Sequence, residues 1–181
     1  TGLGDITALS AGGVERRIAV GSPYSGEKLN SGPGKAEGWF EEMPVILAWK
    51  SETGKHTSNY IDNVEWKQKI TSSGKKAMET ISKGSWDKNR WQELIESAQK
   101  FVIDSGLVMD SKRNELLFES NNLIESCDLE EHVVSLLCML GQSIVIVPKK
   151  LDLNNFEIKK ICKKFNEIGF ETIITSLSNN L

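Results

Sequence analysis

Residues 143–175 have the sequence SIVIVPKKLDLNNFEIKKICKKFNEIGFETIIT. The apolar runs at its two ends predict strands over 143–148 and 170–175, because short runs rich in β-branched residues are typical of buried strands. Between them, apolar residues three and four positions apart predict an amphipathic helix over 155–168, with Gly169 as its stop. The segment is therefore predicted to form a β-α-β unit.

The rest of the chain carries further patterns of both kinds. The predicted elements are strands over 17–20 and 45–49, helices over 75–82, 86–105 and 128–140, and a strand or helix over 116–118. Gly106 and Gly141 are the expected stops of the two longer helices. Helices and strands that do not alternate strictly predict an α+β fold, with helices on one face of a mainly antiparallel sheet.

Composition restricts the class of protein. The chain has 181 residues, 39% of them hydrophobic, which is enough for a real core, and a net charge of −3. This charge balance does not favour nucleic acid or an anionic membrane as a partner. The longest apolar runs, such as residues 144–147, are far shorter than the roughly 20 residues that span a bilayer. The three cysteines, an odd number, favour reduced thiols. We expect a soluble cytoplasmic protein.

The first thirteen residues, TGLGDITALSAGG, are rich in glycine. Asp5 lies in a glycine-flanked stretch and is followed by a turn of small residues and a Gly-Gly pair. The flanking glycines Gly2, Gly4, Gly12 and Gly13 allow the backbone to approach a neighbouring group closely.

Three further stretches follow in order: HTSNYID at 56–62, FVIDSGL at 101–107 and MLGQS at 139–143. Together with the first stretch, and with Arg17 ahead of the turn GSPYSG at 21–26, they resemble the galactokinase, homoserine kinase and mevalonate kinase (GHMP) superfamily. The resemblance spans nearly the whole chain and is strongest to the archaeal-type pantoate kinases.

The resemblance implies both a fold and a reaction. Residues 1–38 would be the end of an S5-like N-terminal domain, and residues 39–181 a ferredoxin-like α/β-plait C-terminal domain. The reaction implied is the transfer of phosphate from ATP, with Mg²⁺, to the hydroxyl of pantoate. The product, 4-phosphopantoate, lies on a route to coenzyme A.

The resemblance also assigns roles to residues. Asp5 would be the base, and Arg17, His56, Thr57 and Ser58 would bind the hydroxy acid. Gly141 and the glycines of the first stretch would shape the nucleotide loop, and no metal ligand is identified. The expected partners are the small hydroxy acid and the N-terminal half of the kinase, with neither nucleic acid nor a membrane; a homodimer is also considered.

One element of the superfamily is missing from this chain. The loop Pro-x-x-x-Gly-Leu-x-Ser-Ser-Ala, which wraps ATP phosphates at a helix N-terminus, should precede Asp5, but the chain opens at Thr1. The stretch GPGK at 32–35 lacks the spacing of the other common phosphate loop. We therefore expect that the phosphate loop belongs to an N-terminal half, either of the same gene product or of a companion chain.

Other interpretations remain open. Asp5 could only cap a helix, and the chain could be a non-catalytic binding or regulatory domain, or a GHMP kinase for another hydroxy acid or alcohol. Five tryptophans and a set of lysines near the C-terminus could contact single-stranded nucleic acid, although packing and a solvated helix face explain them more simply. Glu65-x-Lys67 matches a Mg²⁺ motif of nucleases that is common by chance. His132 is expected on a helix surface.

Overall fold

The computed structural model describes residues 13–19, 35–51, 62–138, 141–151 and 155–177. The strands in these ranges are β1 (Val14–Ala19), β2 (Lys35–Trp39), β3 (Met43–Trp49), β4 (Val133–Leu137), β5 (Ser143–Pro148) and β6 (Glu171–Leu177). The α-helices are α1 (Val64–Ile81), α2 (Trp91–Asp104), α3 (Ser111–Ser126) and α4 (Asn155–Glu167). Short 3-10 helices precede α2 and α3. None of the helices in these ranges is long and apolar enough to cross a membrane.

The strands form two sheets. In the smaller sheet, β1 pairs with β2 in antiparallel orientation. The larger sheet has the order β4-β5-β3-β6, and β5 is antiparallel to both of its neighbours. The fold is therefore α+β with antiparallel strand pairs, which confirms that part of the prediction.

The described residues fall into two compact units. The strand-pair unit contains β1, β2 and the loop Ser82–Arg90. The four-stranded unit contains Pro44–Ile81 and Trp91–Thr175, and so includes the four α-helices of the described residues.

The four-stranded unit is held together by a continuous apolar core. Residues of β3, β4 and β5 contribute one side of it, and residues of α2, α3 and α4 the other. On α4, Ile158, Ile161 and Phe165 are fully buried while Lys159 and Lys160 are exposed, so the apolar stripe predicted for this helix is confirmed. Burial of each such side chain stabilises the fold by roughly 1.5–3 kcal/mol.

Several predicted elements lie where they were expected. The strands predicted over 45–49, 143–148 and 170–175 correspond to β3, β5 and β6, and the helix predicted over 155–168 corresponds to α4. Gly106 and Gly169 have φ values of 76° and 89°, the left-handed backbone that ends a helix at little cost for glycine. The segment 116–118, left open between strand and helix, lies inside α3.

The helix predicted over 128–140 is wrong. This segment contains turns and then β4, whose residues are nearly all buried. An apolar run of this length does not by itself distinguish a buried strand from a buried helix. The pair Val133-Val134 favours a strand, since β-branched side chains are stiff and pack well on a pleated surface. His132 is exposed as expected, but in a turn rather than on a helix.

The limits of three other elements also differ from the prediction. Helix α2 begins at Trp91 instead of 86, because Trp86 lies buried in the preceding loop of the strand-pair unit. Helix α1 begins at Val64, well before the predicted 75, since its first half is mostly polar and gives a weak apolar pattern. Strand β1 spans Val14–Ala19 instead of 17–20.

Candidate functional site

Three of the predicted site residues lie in the described ranges: Gly13 immediately before β1, Arg17 within β1, and Gly141 between β4 and β5. Gly13 and Arg17 belong to the strand-pair unit and Gly141 to the four-stranded unit. The other predicted site residues lie outside the described residues, and they are Gly2, Gly4, Asp5, Gly12, His56, Thr57 and Ser58.

Gly13 can only be a glycine in this fold. Its φ is +63°, and a Cβ atom built there would collide with the backbone carbonyl of Trp39. The residue thus combines a left-handed backbone with a close approach to the end of β2, and either alone disfavours a side chain. Its local role is to bring the chain into β1 tight against the neighbouring strand.

The register of β1 against β2 places its side chains in two sets. Val14 pairs with Trp39 and Arg16 with Glu37, while Glu15 pairs with Gly38 and Arg17 with Ala36. Successive residues of a strand point to opposite faces, and directly paired residues share a face. Val14 and Arg16 therefore lie on one face of the strand pair, and Glu15 and Arg17 on the other.

Arg16 lies in a fully protein-lined environment. Only 4% of it is exposed; its guanidinium forms an ion pair with Glu37 and donates a hydrogen bond to the Gly84 carbonyl at 3.0 Å. Its Cζ lies 5.2 Å from the ring centre of Trp86, within cation-π range. The indole of Trp86 donates a hydrogen bond to the Val14 carbonyl at 3.0 Å, which attaches the 82–90 loop to β1.

Arg17 has a sparser set of contacts. Its Nη2 lies 3.7 Å from Oε1 of Glu15, which is beyond hydrogen-bond distance. The side chain of Glu15 is only 9% exposed and that of Arg17 is 26% exposed. The two consecutive arginines of β1 therefore have different roles in the fold: Arg16 contacts Glu37, Gly84 and Trp86, whereas Glu15 is the acidic neighbour of Arg17 among the described residues.

Gly141 lies in the turn between β4 and β5. Its N–H donates to the Cys138 carbonyl at 2.9 Å, and its own carbonyl accepts a hydrogen bond from Nε of Arg113 at 3.1 Å. A Cβ atom at Gly141 would lie 3.3 Å from the Cys138 carbonyl, which is tight. Arg113, only 1% exposed, therefore connects the first turn of α3 to this turn and fixes its position.

The surroundings of Gly141 do not form a substrate pocket among the described residues. The adjacent cavity, lined in part by Lys50, Lys112 and Gln142, has a volume of about 20 Å³, which suits a single water molecule. Burial raises the pKa of the Cys138 thiol, so it stays protonated at neutral pH and is a poor nucleophile. Among the described residues, Gly141 is thus held by hydrogen bonds to Cys138 and Arg113.

The stretch Ser105-Gly106-Leu107 has a structural explanation. The Ser105 hydroxyl is fully buried and donates to the Val102 carbonyl at 3.3 Å. Gly106 provides the left-handed residue that ends α2, and Leu107 enters the core. These contacts account for the local pattern without a ligand.

The alternative interpretations gain no support from the described residues. The carboxylate of Glu65 is exposed and pairs with Lys69 at 2.7 Å, one helical turn away, rather than with Lys67. Within the described ranges, no three metal-ligating side chains stand together. Trp86 and Trp91 are buried and both donate indole hydrogen bonds to backbone carbonyls, so packing explains them better than base stacking.

Three residues important to these sites were missed by the sequence analysis: Glu15, Arg16 and Arg113. The alternation of apolar and charged residues along β1 is a signal that could have separated Arg16 from Arg17, since Arg16 shares a face with Val14. Arg113 gives no comparable signal, because an arginine in a first helical turn usually lies on the surface.

Comparison with known proteins gives an informative match among the solved structures. No family model and no curated protein matches the chain. A solved structure described as a phosphotransferase related to the CoA biosynthesis pathway superposes with a TM-score of 0.66, at 19% sequence identity. The match covers 97% of this chain and 49% of that protein, so this chain spans about half of its length. The likeness shows that the two share a fold over nearly all of the chain.

Proposed function

We propose that this chain is the C-terminal part of an ATP-dependent small-molecule kinase of the GHMP superfamily. Its acceptor is pantoate, which it phosphorylates on the hydroxyl to give 4-phosphopantoate, and its setting is the cytoplasm. The observation that supports this most is the fold shared with a phosphotransferase related to CoA biosynthesis. The description of that protein names phosphoryl transfer and coenzyme A biosynthesis, which are also the chemistry and the pathway of the family that the sequence motifs resemble.

The proposal extends to the architecture. The elements of the four-stranded unit follow the order strand, helices, two strands, helix, strand, and the sheet order is β4-β5-β3-β6. This is the arrangement expected of a ferredoxin-like domain, in which the β-α-β connection of β5 and β6 leaves room for β3 between them. The proposed division places residues 1–38 in an N-terminal domain and 39–181 in this C-terminal domain.

The proposed division of labour leaves phosphate binding to an N-terminal half. The matched structure is about twice as long as this chain, which is consistent with such a half. ATP supplies the phosphoryl group and Mg²⁺ offsets its charge when bound. The described residues include no group of ligands suited to Mg²⁺, so no role in metal binding is assigned to them.

The roles proposed for this chain concern the acceptor. Asp5 is the proposed base that orients the acceptor hydroxyl and takes its proton. Arg17, with His56, Thr57 and Ser58, is proposed to hold the carboxylate. Arg17 suits this role because its guanidinium is partly exposed and is at hydrogen-bond distance from none of the described carboxylates.

The test is an ATP-consumption assay on the full-length protein with pantoate, homoserine, mevalonate and shikimate as acceptors. We expect turnover with pantoate and little with the others. Turnover with a different acceptor would support the kinase assignment but show that pantoate is not the substrate. No turnover with any acceptor, from protein shown to be folded, would favour a non-catalytic binding domain on the same fold.

The role of Asp5 needs its own variant. Asp5→Asn keeps the size and capping ability of the side chain but removes the base, so turnover should fall by about 100-fold or more while acceptor binding persists. An Asn variant with unchanged kcat would remove Asp5 from catalysis and leave it as a helix cap.

A further inference from the structure

Two adjoining cavities lie between α2 and α3 in the four-stranded unit. Both helices pack against β4, and residues of β4 line both cavities. The volumes are about 290 Å³ and about 370 Å³, near the lower end of the roughly 300–1,000 Å³ of small-molecule sites. Gln99 of α2 and Asn121 of α3 line both, so the two cavities meet at these side-chain amides. Together they offer enough space for a small ligand.

The smaller cavity, here called the apolar cavity, has no ionisable group among the described residues that line it. Its walls include Val102 and Ile103 from α2, and Leu117 and Phe118 from α3. Ile103 is 67% exposed and Phe118 is 63% exposed. Single exposed apolar side chains are common, but these two line one cavity from different helices. An apolar group placed between them would remove both from water, which is favourable.

The larger cavity, here called the charged cavity, is lined by three ionisable side chains. Glu125 lies in the last turn of α3, Glu130 in the turn before β4, and Lys149 directly after β5. Within the part of the chain that the structure describes, none of the three takes part in an ion pair. The partial negative charge at the C-terminus of α3 adds to that of the two carboxylates. The cavity therefore presents charges of both signs, with the negative sign in excess.

We infer that the two cavities together bind a free amino acid with a large apolar side chain. The side chain of the ligand enters the apolar cavity beside Phe118. Its ammonium group lies with Glu125 and Glu130, and its carboxylate lies with Lys149. An amino acid carries one group of each sign on the same carbon, next to its side chain, and so matches an apolar cavity that adjoins a cavity with charges of both signs.

The dimensions of α3 agree with a ligand of this size. Phe118 and Glu125 are seven residues apart on the helix, which corresponds to a rise of about 10 Å. One large amino acid, together with the reach of a glutamate side chain, covers such a span. Gln99 and Asn121 lie where the apolar side chain of the ligand would join its charged groups. Their amides can both donate and accept hydrogen bonds there.

This inference goes beyond the proposed function and does not depend on it. The site belongs to the four-stranded unit and contains none of the residues assigned to the kinase reaction. Binding is measured without ATP and without an acceptor, so the result is independent of whether the protein is a kinase.

The experiment titrates phenylalanine, leucine and three analogues of phenylalanine into the full-length protein, followed by calorimetry and by amide NMR spectra. Alanine lacks the ring, 2-phenylethylamine lacks the carboxylate and 3-phenylpropionate lacks the ammonium group. We expect shifts confined to amides of α2, α3, β4 and their flanking turns. Binding should be about 10- to 100-fold weaker for alanine and about 3- to 10-fold weaker for the other two analogues. If neither phenylalanine nor leucine binds, or if either charged group can be removed without loss, the inference is overturned.

Two adjacent asparagines provide a matched pair of variants. Asn121→Trp places a large ring where the two cavities meet, so the affinity for phenylalanine should fall by about 10-fold or more. Asn122→Trp is the control, because Asn122 is also exposed but lines a different cavity, with Lys50 and Glu119. It should bind phenylalanine as the wild-type protein does. Equal affinities of the two variants, both shown to be folded by circular dichroism, would place the ligand elsewhere and overturn the inference.

A second pair of variants tests the charges. Glu125→Gln combined with Glu130→Gln should weaken the binding of phenylalanine by about 3- to 10-fold, since the ammonium group loses both carboxylates. The binding of 3-phenylpropionate, which has no ammonium group, should not weaken. Glu115→Gln is the control, as Glu115 is exposed on another side of α3 and should leave both affinities unchanged. If the double variant weakens both ligands equally, or neither, the two glutamates do not bind the ammonium group and the inference is overturned.

Discussion

The two units of this protein bury apolar and charged side chains in different proportions. The four-stranded unit buries mainly aliphatic and aromatic residues from three strands and three helices, with Arg113 as a buried charged residue among them, and ion pairs such as Glu65–Lys69 and Lys76–Asp104 lie at its surface. In the strand-pair unit, the buried residues include Arg16, and the side chains of Glu15 and Trp86 are also largely hidden from solvent. An apolar core is non-directional and tolerates many sequences. Buried charges need particular partners, so substitutions near Arg16 in the strand-pair unit and near Arg113 in the four-stranded unit should be tolerated less well than substitutions in the apolar core.

The largest expected effect probes the apolar core. Phe165 is fully buried and meets Phe170 edge to face, with ring centres 5.3 Å apart. Phe165→Ala should lower the free energy of unfolding by about 3–5 kcal/mol, measured by chemical denaturation. The control is Phe118→Ala at a position that is 63% exposed, which should change stability by about 0.5 kcal/mol or less. Equal losses at both positions would mean that the core assignment is wrong.

The next effect separates the two arginines of β1. Arg16→Ala removes an ion pair, a hydrogen bond to Gly84 and the contact with Trp86, so we expect a loss of about 2–3 kcal/mol. Arg17→Ala should cost about 1 kcal/mol, less than Arg16→Ala, because it leaves the largely buried Glu15 carboxylate without this cation but breaks no hydrogen bond to a described residue. Hydrogen exchange of the β1 and β2 amides measures both. Similar losses would show that the faces of the strand pair do not differ as described.

A buried pair of serines inside the four-stranded unit tests whether polar groups in its core depend on particular partners, as the buried charges of the strand-pair unit do. The hydroxyls of Ser120 and Ser135 are hydrogen-bonded to each other and both residues are buried. Either single change to alanine should cost about 1–2 kcal/mol, because the remaining hydroxyl loses its partner. The double variant should cost less than the sum of the single changes. Additive losses in the denaturation midpoints would indicate that each hydroxyl has another partner.

The smallest effect is a response to acid in the 82–90 loop. The N–H of Asn89 and the hydroxyl of Ser85 donate to the Asp87 carboxylate and lower its pKa below the ordinary 3.8. A lowered pKa in the folded state adds stability above the unfolded value, and this is lost as the pH falls through the folded pKa. Asp87→Asn should therefore remove the loss of folding stability that Asp87 contributes as the pH falls from about 5 to about 2. A carboxyl titration by NMR at 3.8 in the folded protein would contradict it.

The helices and strands that were predicted correctly have local sequence signals that agree with one another. In β5 and α4, the period of the apolar residues and the position of a stop glycine agree on one structure. The segment 128–140 lacks that agreement: its apolar run fits both periods, and only burial under α2 and α3 makes it a strand. The start of α2 was also misplaced, since Trp86 has a helix-compatible position in the sequence but is held by a hydrogen bond to Val14.

The candidate site shows the same division. The sequence identified Gly13, Arg17 and Gly141, and the structure gives a local reason for each of the two glycines. It did not identify Glu15, because an acidic residue in a short strand is normally solvated. Nor did it identify Arg113, whose link to the Gly141 carbonyl joins residues 28 positions apart. The catalytic assignment of Asp5 stays a prediction, as it lies outside the described residues.

Local sequence specifies which segments are strands and helices wherever the apolar period and the stop signals coincide, since these depend on residues close together in the chain. It also carried the motifs from which the kinase function is proposed. Long-range packing sets which arginine of β1 is buried, which carboxylate has no hydrogen-bond donor among the described residues and which arginine binds the Gly141 carbonyl. These properties arise from the register of β1 against β2 and from the packing of α3 on the β4-β5 turn. Both depend on pairings between distant residues, which local sequence does not specify.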